Sequence, residues 1–236
     1  MTLDRIAVEL TNDLQELRFG PPVAQVYNPL EYARAPHRQY LQRYGKPPKE
    51  FVLVGMNPGP WGMAQTGIPF GEISAVRDWM GIDAPVGQPR RPHPRRPVLG
   101  FDCSRREVSG QRLWGWARKN FDVAEVFFRR FFVANYCPLM FMVDSGANLT
   151  PDKLKAAEAH PLFAACDRAL RRTIDYLKPT HVVGIGQFAA QRARIALEGL
   201  PLKIGGITHP SPANPKANRG WDSLVDRELA ALGIRI

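Results

Sequence analysis

The chain of 236 residues contains little of what builds metal centres or disulfide scaffolds. Its three cysteines, Cys103, Cys137 and Cys166, lie far apart and include no C-x-x-C pair, which argues against a zinc ribbon and a disulfide framework. A four-cysteine iron–sulfur cluster would need one ligand more than the chain contains. We therefore predict a protein of a reducing compartment that has no metal centre.

Long apolar runs are also missing. The longest candidate, residues 131–143, is interrupted by Asn135 and Pro138 and is shorter than the roughly 18 residues that a membrane helix needs. The first residues carry three acidic side chains and lack the apolar block of a secretory leader. These absences predict a protein without a membrane partner. We expect it in the cytoplasm of a bacterial cell, or in the nucleus of a eukaryotic one.

Positive charge, by contrast, is abundant. Lysine and arginine number 32 against 22 acidic residues, which gives a net charge of +10. Such an excess favours phosphate-rich partners, although many basic proteins bind no nucleic acid specifically. Residues 83–112 are rich in arginine and proline, and this segment is longer than an ordinary connecting loop of a compact domain. It is either a solvated loop or an arm that follows the phosphates of a nucleic acid.

The pattern of apolar residues predicts a single α/β domain over residues 1–236. Short apolar runs that end at Gly, Pro or Asn indicate four buried strands, at 51–54, 131–136, 181–185 and 202–208. Helical spacing indicates helices at 3–17, 30–44, 73–81, 122–130, 151–177, 187–199 and 215–232. Alternation of strands and helices predicts a parallel sheet with helices on both faces.

Chemically unusual segments follow three of the four predicted strands. They are residues 55–71, the end of the strand that carries Asn135, and residues 209–221. Ligands bind outside the carboxyl ends of the strands in open parallel sheets, so the three segments can converge on one cleft. An amide inside an apolar strand must find hydrogen-bond partners or cost about 1–3 kcal/mol, and either a ligand or backbone groups can supply them.

Known nucleotide-binding motifs do not explain these segments. The loop at 55–71 lacks the Gly-Lys-Ser/Thr ending of a P-loop, and residues 184–189 make a poor dinucleotide fingerprint. Taken singly, Asn57 before Pro58 is an ordinary turn former, His209 can cap a loop, and Phe70 can belong to the core. Function is indicated only by their combination.

Together the segments resemble the single-strand-selective monofunctional uracil-DNA glycosylases, within the uracil-DNA glycosylase superfamily. The likeness runs from about residue 25 to the end of the chain. The segments that carry it are 55–71, 97–100, 107–110, 114–115, 135–139 and 209–221. It implies a three-layer sandwich with a central four-stranded parallel sheet.

The resemblance also implies the activity. The family flips a damaged base out of DNA and hydrolyses the N-glycosidic bond of uracil and 5-substituted uracils such as 5-hydroxymethyluracil, leaving an abasic site for base excision repair. It implies a monomer that acts on single- and double-stranded DNA without cofactor or lyase activity. Two alternatives stay open: a glycosylase of the same superfamily for xanthine or hypoxanthine, and a catalytically weak DNA-binding module.

Residue roles follow from the same resemblance. Asn57 matches the residue that orients the attacking water, and His209 matches the one that donates a hydrogen bond to O2 of the departing base. Asn135 matches the base reader, because its amide can pair with N3–H and O4 of uracil but not with cytosine. Phe70 matches the aromatic ring on which the base stacks. The remaining residues expected to line the substrate pocket are Met56, Gly59 and Met63.

The segment after His209 resembles the wedge that enters the DNA helix. Better-known animal members carry arginine where this chain has Ala213, so a small side chain stands at the tip of the wedge. The residues expected to contact DNA are Pro210, Ser211, Pro212, Ala213, Asn214, Lys216 and Arg219, together with Gly186 and Gln187 at a strand-to-helix turn whose amides can meet a phosphate.

Overall fold

The computed structural model describes residues 1–236 and contains two sheets. The strands are β1 (Gln25–Tyr27), β2 (Phe51–Gly55), β3 (Phe131–Asn135), β4 (Met140–Met142), β5 (Asn148–Leu149), β6 (His181–Ile185) and β7 (Lys203–Ile207). The central sheet is parallel, with strand order β3-β2-β6-β7, which confirms the predicted sheet. Strands β1, β4 and β5 form a small antiparallel sheet that sequence patterning missed, because two or three residues are too few for a periodic signal.

Nine α-helices accompany the strands. They are α1 (Leu3–Gln15), α2 (Pro29–Tyr32), α3 (Arg34–Tyr44), α4 (Met63–Thr66), α5 (Val108–Phe121), α6 (Ala124–Arg130), α7 (Ala156–Leu177), α8 (Gln187–Ala196) and α9 (Trp221–Ala231). None of them is long and apolar enough to cross a lipid bilayer.

Several predicted helix boundaries were wrong. The segment 30–44 divides at Ala33, whose backbone leaves the helical region. The segment 73–81 is a short π-helical turn, Ala75–Trp79, preceded by two helical residues, and not a regular α-helix. The last helix begins at Trp221 because Gly220 has a φ of 109° and interrupts the chain before it. Helix α5 was not predicted, since two glycines and several polar residues weaken its apolar pattern.

Neighbouring residues of β3 show the three layers. Phe131 packs against Trp116 of α5 and Phe127 of α6. The next residue, Phe132, stacks on Tyr40 of α3. Because successive side chains of a strand point to opposite faces, helices cover both faces of the sheet. All five residues of β2 are buried, as expected for a strand between two helical layers.

Candidate active site

The site lies where β2 and β3 end side by side. Gly55 is paired with Asn135 in the register of the two strands. The pairing continues into both loops, because Tyr136 donates to the Gly55 carbonyl at 2.8 Å and Cys137 donates to the Met56 carbonyl at 2.9 Å. The loop that carries Asn57 is therefore held beside the loop that follows Asn135.

Asn135 and Phe70 meet over Gly55. A Cβ added to Gly55 would overlap Oδ1 of Asn135 and lie 2.6 Å from Cε2 of Phe70. The missing side chain is thus what lets the amide and the ring share one space. Phe70 has a φ of 54°, a conformation that costs a non-glycine residue about 1–3 kcal/mol and that is often found at functional sites.

The amide of Asn135 is left with little to bind inside the protein. Its Nδ2 donates to Sδ of Met63 at 3.1 Å, and a thioether is a weak acceptor. No protein group donates to its Oδ1. Backbone groups therefore do not satisfy this amide, although the sequence left that possibility open. A ligand can therefore replace the weak partner of Nδ2 and supply a donor to Oδ1.

His209 lies next to the same ring. The centroids of the Phe70 and His209 rings are 5.9 Å apart. Backbone N–H of Ser211 donates to Nδ1 of His209 at 3.1 Å, so Nδ1 is an acceptor and carries no proton. Burial lowers the pKa of His209 from 6.5 to about 4. The imidazole is accordingly neutral at pH 7 and keeps its proton on Nε2, which leaves a hydrogen-bond donor for the cleft.

The lowered pKa predicts an acid-sensitive fold. Between pH 6.5 and pH 4 the unfolded chain binds a proton that folded His209 does not, so the free energy of unfolding falls as the pH is lowered through this window. Over the whole window this one group contributes on the order of 2–3 kcal/mol. Urea unfolding at pH 7 and pH 4.5 should show a larger loss for the wild type than for His209→Gln. Equal losses would mean that the folded imidazole is not held neutral.

Asn57 is oriented by the loop after β3. Its Nδ2 donates to the Leu139 carbonyl at 3.3 Å, which fixes the amide and leaves Oδ1 as its remaining acceptor. An amide cannot ionise, so this oxygen can accept a hydrogen bond from a water but cannot remove a proton as a base.

Gly59 does not border empty space. A Cβ at this position would overlap Oε2 of Glu107 and lie 3.1 Å from its Cδ. The space beside this expected pocket residue is thus bounded by a carboxylate. Burial raises the pKa of Glu107, and the backbone N–H groups of Ser109 and Trp61 partly oppose that shift. Residue 107 lies in one of the segments that carry the family resemblance, but nothing local in the sequence links it to residue 59.

A groove beside the cleft gathers several other predicted residues. Met56, Gly186, Gln187, His209, Asn214 and Lys216 line it together with residues of β6, β7 and α8. The backbone N–H of Gly186 donates to the Ile207 carbonyl at 2.8 Å and is therefore not available to a phosphate as expected. The N–H groups of the first turn of α8, from Gln187 onward, have no partner within the helix and favour an anion. The predicted DNA-contacting turn therefore adjoins His209.

The loop from His209 to Trp221 is braced from α5. Arg112 donates to the Pro210 carbonyl and to Oδ1 of Asn218, both at 2.9 Å. Asn218 in turn donates to the Pro212 carbonyl at 2.8 Å. Arg112 was missed by sequence analysis, because its partners lie about a hundred residues away. The bracing holds the loop in one shape at the rim of the cleft.

Most of the predicted wedge is accessible. Pro212, Ala213, Lys216 and Arg219 are exposed, and Ser211 and Asn214 are half-buried. Pro210 is buried, so its ring does not form part of the exposed tip. Lys216 and Arg219 are therefore exposed cations at the rim of the cleft.

Comparisons with known proteins agree with this geometry. Residues 42–227 match the family model described as the uracil DNA glycosylase superfamily. The chain is 48% identical over 229 residues to the single-strand selective monofunctional uracil DNA glycosylase of Mus musculus, which covers 96% of this chain and 82% of that protein. The corresponding protein of Rattus norvegicus is 49% identical with the same coverage of both chains.

A solved structure supports the fold. The crystal structure of wild-type Pedobacter heparinus SMUG2 superimposes with a TM-score of 0.69 and covers 99% of this chain and 97% of its own. At 17% identity this likeness concerns the fold alone.

The parallel sheet, its covering helices and the family match define the class: the chain belongs to the uracil-DNA glycosylase superfamily. Within that superfamily it belongs to the single-strand-selective monofunctional uracil-DNA glycosylases, as nearly half of its residues are identical to theirs over almost its whole length. The resemblance seen in the sequence is confirmed.

Proposed function

We propose that this protein hydrolyses the N-glycosidic bond of uracil in DNA and leaves an abasic site, as a monofunctional glycosylase of base excision repair. The observation that carries the residue roles is the meeting of Asn135, Phe70 and His209 at one edge of the sheet. A flipped pyrimidine needs a ring to stack on, an amide to read its edge and a donor for its departing charge. These three groups supply all of them.

Base recognition rests on Phe70 and Asn135. The ring stacks on the flipped base, a contact worth about 1–3 kcal/mol. Oδ1 of Asn135 accepts from N3–H of uracil, and Nδ2 exchanges its weak thioether partner for O4. Cytosine presents an acceptor at N3 and a donor at C4, so both hydrogen bonds would be lost and the half-buried amide would stay unpaired.

Bond cleavage rests on His209 and Asn57. As the bond to the sugar breaks, negative charge develops on the uracil, and the Nε2–H of neutral His209 donates to O2 where that charge is concentrated. The sugar gains positive charge and so becomes reactive toward a neutral water. The water therefore needs to be positioned more than it needs to be deprotonated by a base. Oδ1 of Asn57 accepts from that water and directs it to the sugar carbon.

Absence of lyase chemistry fits the positions of the lysines near the sheet. Lys49 precedes the amino end of β2 and donates to the Phe128 carbonyl, at the edge of the sheet away from the site. Lys216 is exposed on the wedge loop. Lys49 is remote from the base, and Lys216 lines the outer groove beside His209 without contacting Asn135 or Phe70, so a Schiff base with the sugar is not expected.

DNA is bound, in this proposal, along the rim of the cleft. The loop 211–219, whose exposed residues include Pro212, Ala213, Lys216 and Arg219, enters the duplex where the base leaves, with Lys216 and Arg219 on phosphates. Ala213 offers little bulk to fill the gap in the duplex. The start of α8 supplies backbone N–H groups to a further phosphate.

We further propose one domain over residues 1–236 that acts as a monomer, in the nucleoid region of a bacterial cell or the nucleus of a eukaryotic one. Analytical ultracentrifugation with and without an oligonucleotide tests the monomer.

The activity is tested by incubating the protein with an oligonucleotide that carries one uracil, followed by hot alkali. Strand scission only after alkali is the expected result, since a monofunctional enzyme leaves an intact backbone at an abasic site. Scission without alkali would contradict monofunctionality. Release of xanthine or hypoxanthine but not uracil would support a relative of shifted specificity, and binding without base release would support a DNA-binding module.

We also propose that the protein excises uracils that carry a substituent on C5, and the position of Glu107 supports this. The Nδ2 atom of Asn135 faces Met63, and the Gly59 carbonyl accepts from Ala64 at 3.2 Å at the start of the same helical turn. If Nδ2 binds O4, the adjacent C5 faces this turn and the Glu107 carboxylate behind Gly59. A hydroxymethyl group on C5 can donate to that carboxylate.

Glu107→Gln is therefore expected to lower the ratio of kcat/KM for 5-hydroxymethyluracil to that for uracil by roughly tenfold, because a neutral acceptor replaces a charged one. Glutamine has the same shape and keeps an acceptor for the neighbouring backbone amides. Excision of both bases from matched oligonucleotides by the same preparation gives the ratio directly. A ratio equal to that of the wild type would remove Glu107 from substrate selection.

A further inference from the structure

The arginine-rich segment is an ordered surface. We call residues 88–106 the arginine arm. Gln88 donates to the Val98 carbonyl at 2.9 Å, and the Tyr27 hydroxyl donates to the Arg96 carbonyl at 2.8 Å while it accepts from the backbone N–H of His93. Strand β1, to which Tyr27 belongs, thus fixes the middle of the arm.

A buried glutamine joins the arm to the active-site loop. Gln65 is 1% exposed, and its amide donates to the carbonyls of Pro60 and Pro97, at 2.9 and 3.1 Å. Its Oε1 accepts from the backbone N–H of Leu99 at 2.8 Å. Because Pro60 lies three residues after Asn57, the arm is held directly beside the loop that aims the water.

Two arginines of this region converge on one indole. The guanidinium carbons of Arg96 and Arg105 lie 5.1 and 4.9 Å from the centroid of Trp61, within the range of cation–π contacts. Neither arginine forms an ion pair with a carboxylate of the protein. Nε of Arg96 is buried without a hydrogen-bond partner, while Arg105 is exposed. We call these three residues the Trp61 cluster.

An arginine pair with this geometry is suited to phosphate. The planar guanidinium offers several donors in a fixed fork, and stacking on an aromatic ring lowers the entropy lost when it binds. The arm adds Arg90, Arg91 and Arg95, all exposed, which raise the local positive potential. The cluster adjoins the loop after β2, whereas the wedge loop follows β7, two strands farther along the sheet. The two are separate anchoring points around one cleft.

We propose that the Trp61 cluster is a second DNA-binding site, in which Arg96 and Arg105 grip backbone phosphates of the strand that carries the flipped base. The inference rests on the proposed function, since it assumes DNA as the partner. In this proposal the arginine arm holds the DNA strand on the side of the cleft next to Asn57. The wedge loop holds the DNA on the side of the cleft that follows β7.

The test is the affinity for undamaged single-stranded DNA, measured by fluorescence anisotropy over a series of salt concentrations. The double variant Arg96→Ala/Arg105→Ala should bind roughly tenfold more weakly near 0.1 M salt. The slope of log affinity against log salt should become shallower by about 1.4, because each phosphate contact on a single strand contributes about 0.7. Trp61→Leu should lose part of the affinity, because the charges stay but are no longer held in place.

Arg118→Ala is the control for loss of positive charge away from the cleft, although it removes one charge where the double variant removes two. Arg118 is exposed on α5, three residues before Phe121, whose ring contacts Phe131 at the amino end of β3. This change removes one positive charge far from the cleft, so affinity and slope should stay near those of the wild type. The proposal is overturned if the double variant behaves like Arg118→Ala. Because this DNA contains no uracil, binding is measured independently of catalysis. A wild type that binds it with the expected slope but releases no base from the uracil-bearing oligonucleotide would refute the proposed function and not the second site.

Discussion

His209→Ala is expected to lower kcat for uracil excision by about 10²–10³, the usual effect of removing one donor to a developing negative charge. The effect should fall on kcat more than on KM, because the charge on O2 develops only as the bond breaks. Single-turnover kinetics with a uracil-bearing oligonucleotide measure it. The wild-type rate should also be insensitive to this imidazole between pH 8 and pH 5, since His209 stays neutral down to about pH 4.

His160→Ala provides the control for that experiment. His160 is exposed on α7, so its removal changes the histidine count without touching the cleft. His209→Gln offers a finer comparison, because its amide can still donate. A rate for His209→Ala within twofold of the wild type would refute the assigned role.

Gly55→Ala is expected to reduce uracil excision by at least about a hundredfold, the scale of loss that follows from a misplacement of about 1 Å at a reacting site. The added methyl group would overlap Oδ1 of Asn135 and meet the ring of Phe70 at 2.6 Å. One of the two must move, and either movement spoils the space for the base. The same oligonucleotide assay measures the loss.

Gly115→Ala is the control for the Gly55→Ala experiment. Gly115 lies inside α5 with nothing within 4 Å of its added Cβ, so activity should not change. The free energy of unfolding should rise by about 0.5–1 kcal/mol, because alanine loses less conformational freedom in a helix. If Gly55→Ala keeps full activity while folded, as judged by near-UV circular dichroism, the amide and the ring are not required together.

The central sheet was predictable because buried parallel strands are short apolar runs with clear ends. The predicted strand 51–54 differs from β2 by one residue, and 181–185 coincides with β6. Helix α5 was not predictable in the same way. Its apolar face becomes evident only when Trp114 and Trp116 pack against α6, and the helix's two glycines, Gly110 and Gly115, conceal that face in the sequence.

The sequence by itself determined the family and the chemical groups at the site, because motifs 55–71 and 209–221 are local and nearly continuous. Tertiary structure alone decided how those groups act. The Ser211 amide and burial set the tautomer and charge of His209, Glu107 fills the space behind Gly59, and Gln65 brings the arginine arm to the active-site loop. Hydrogen bonds and desolvation depend on distances in space, and neighbours in space that are far apart along the chain leave no periodic pattern in it.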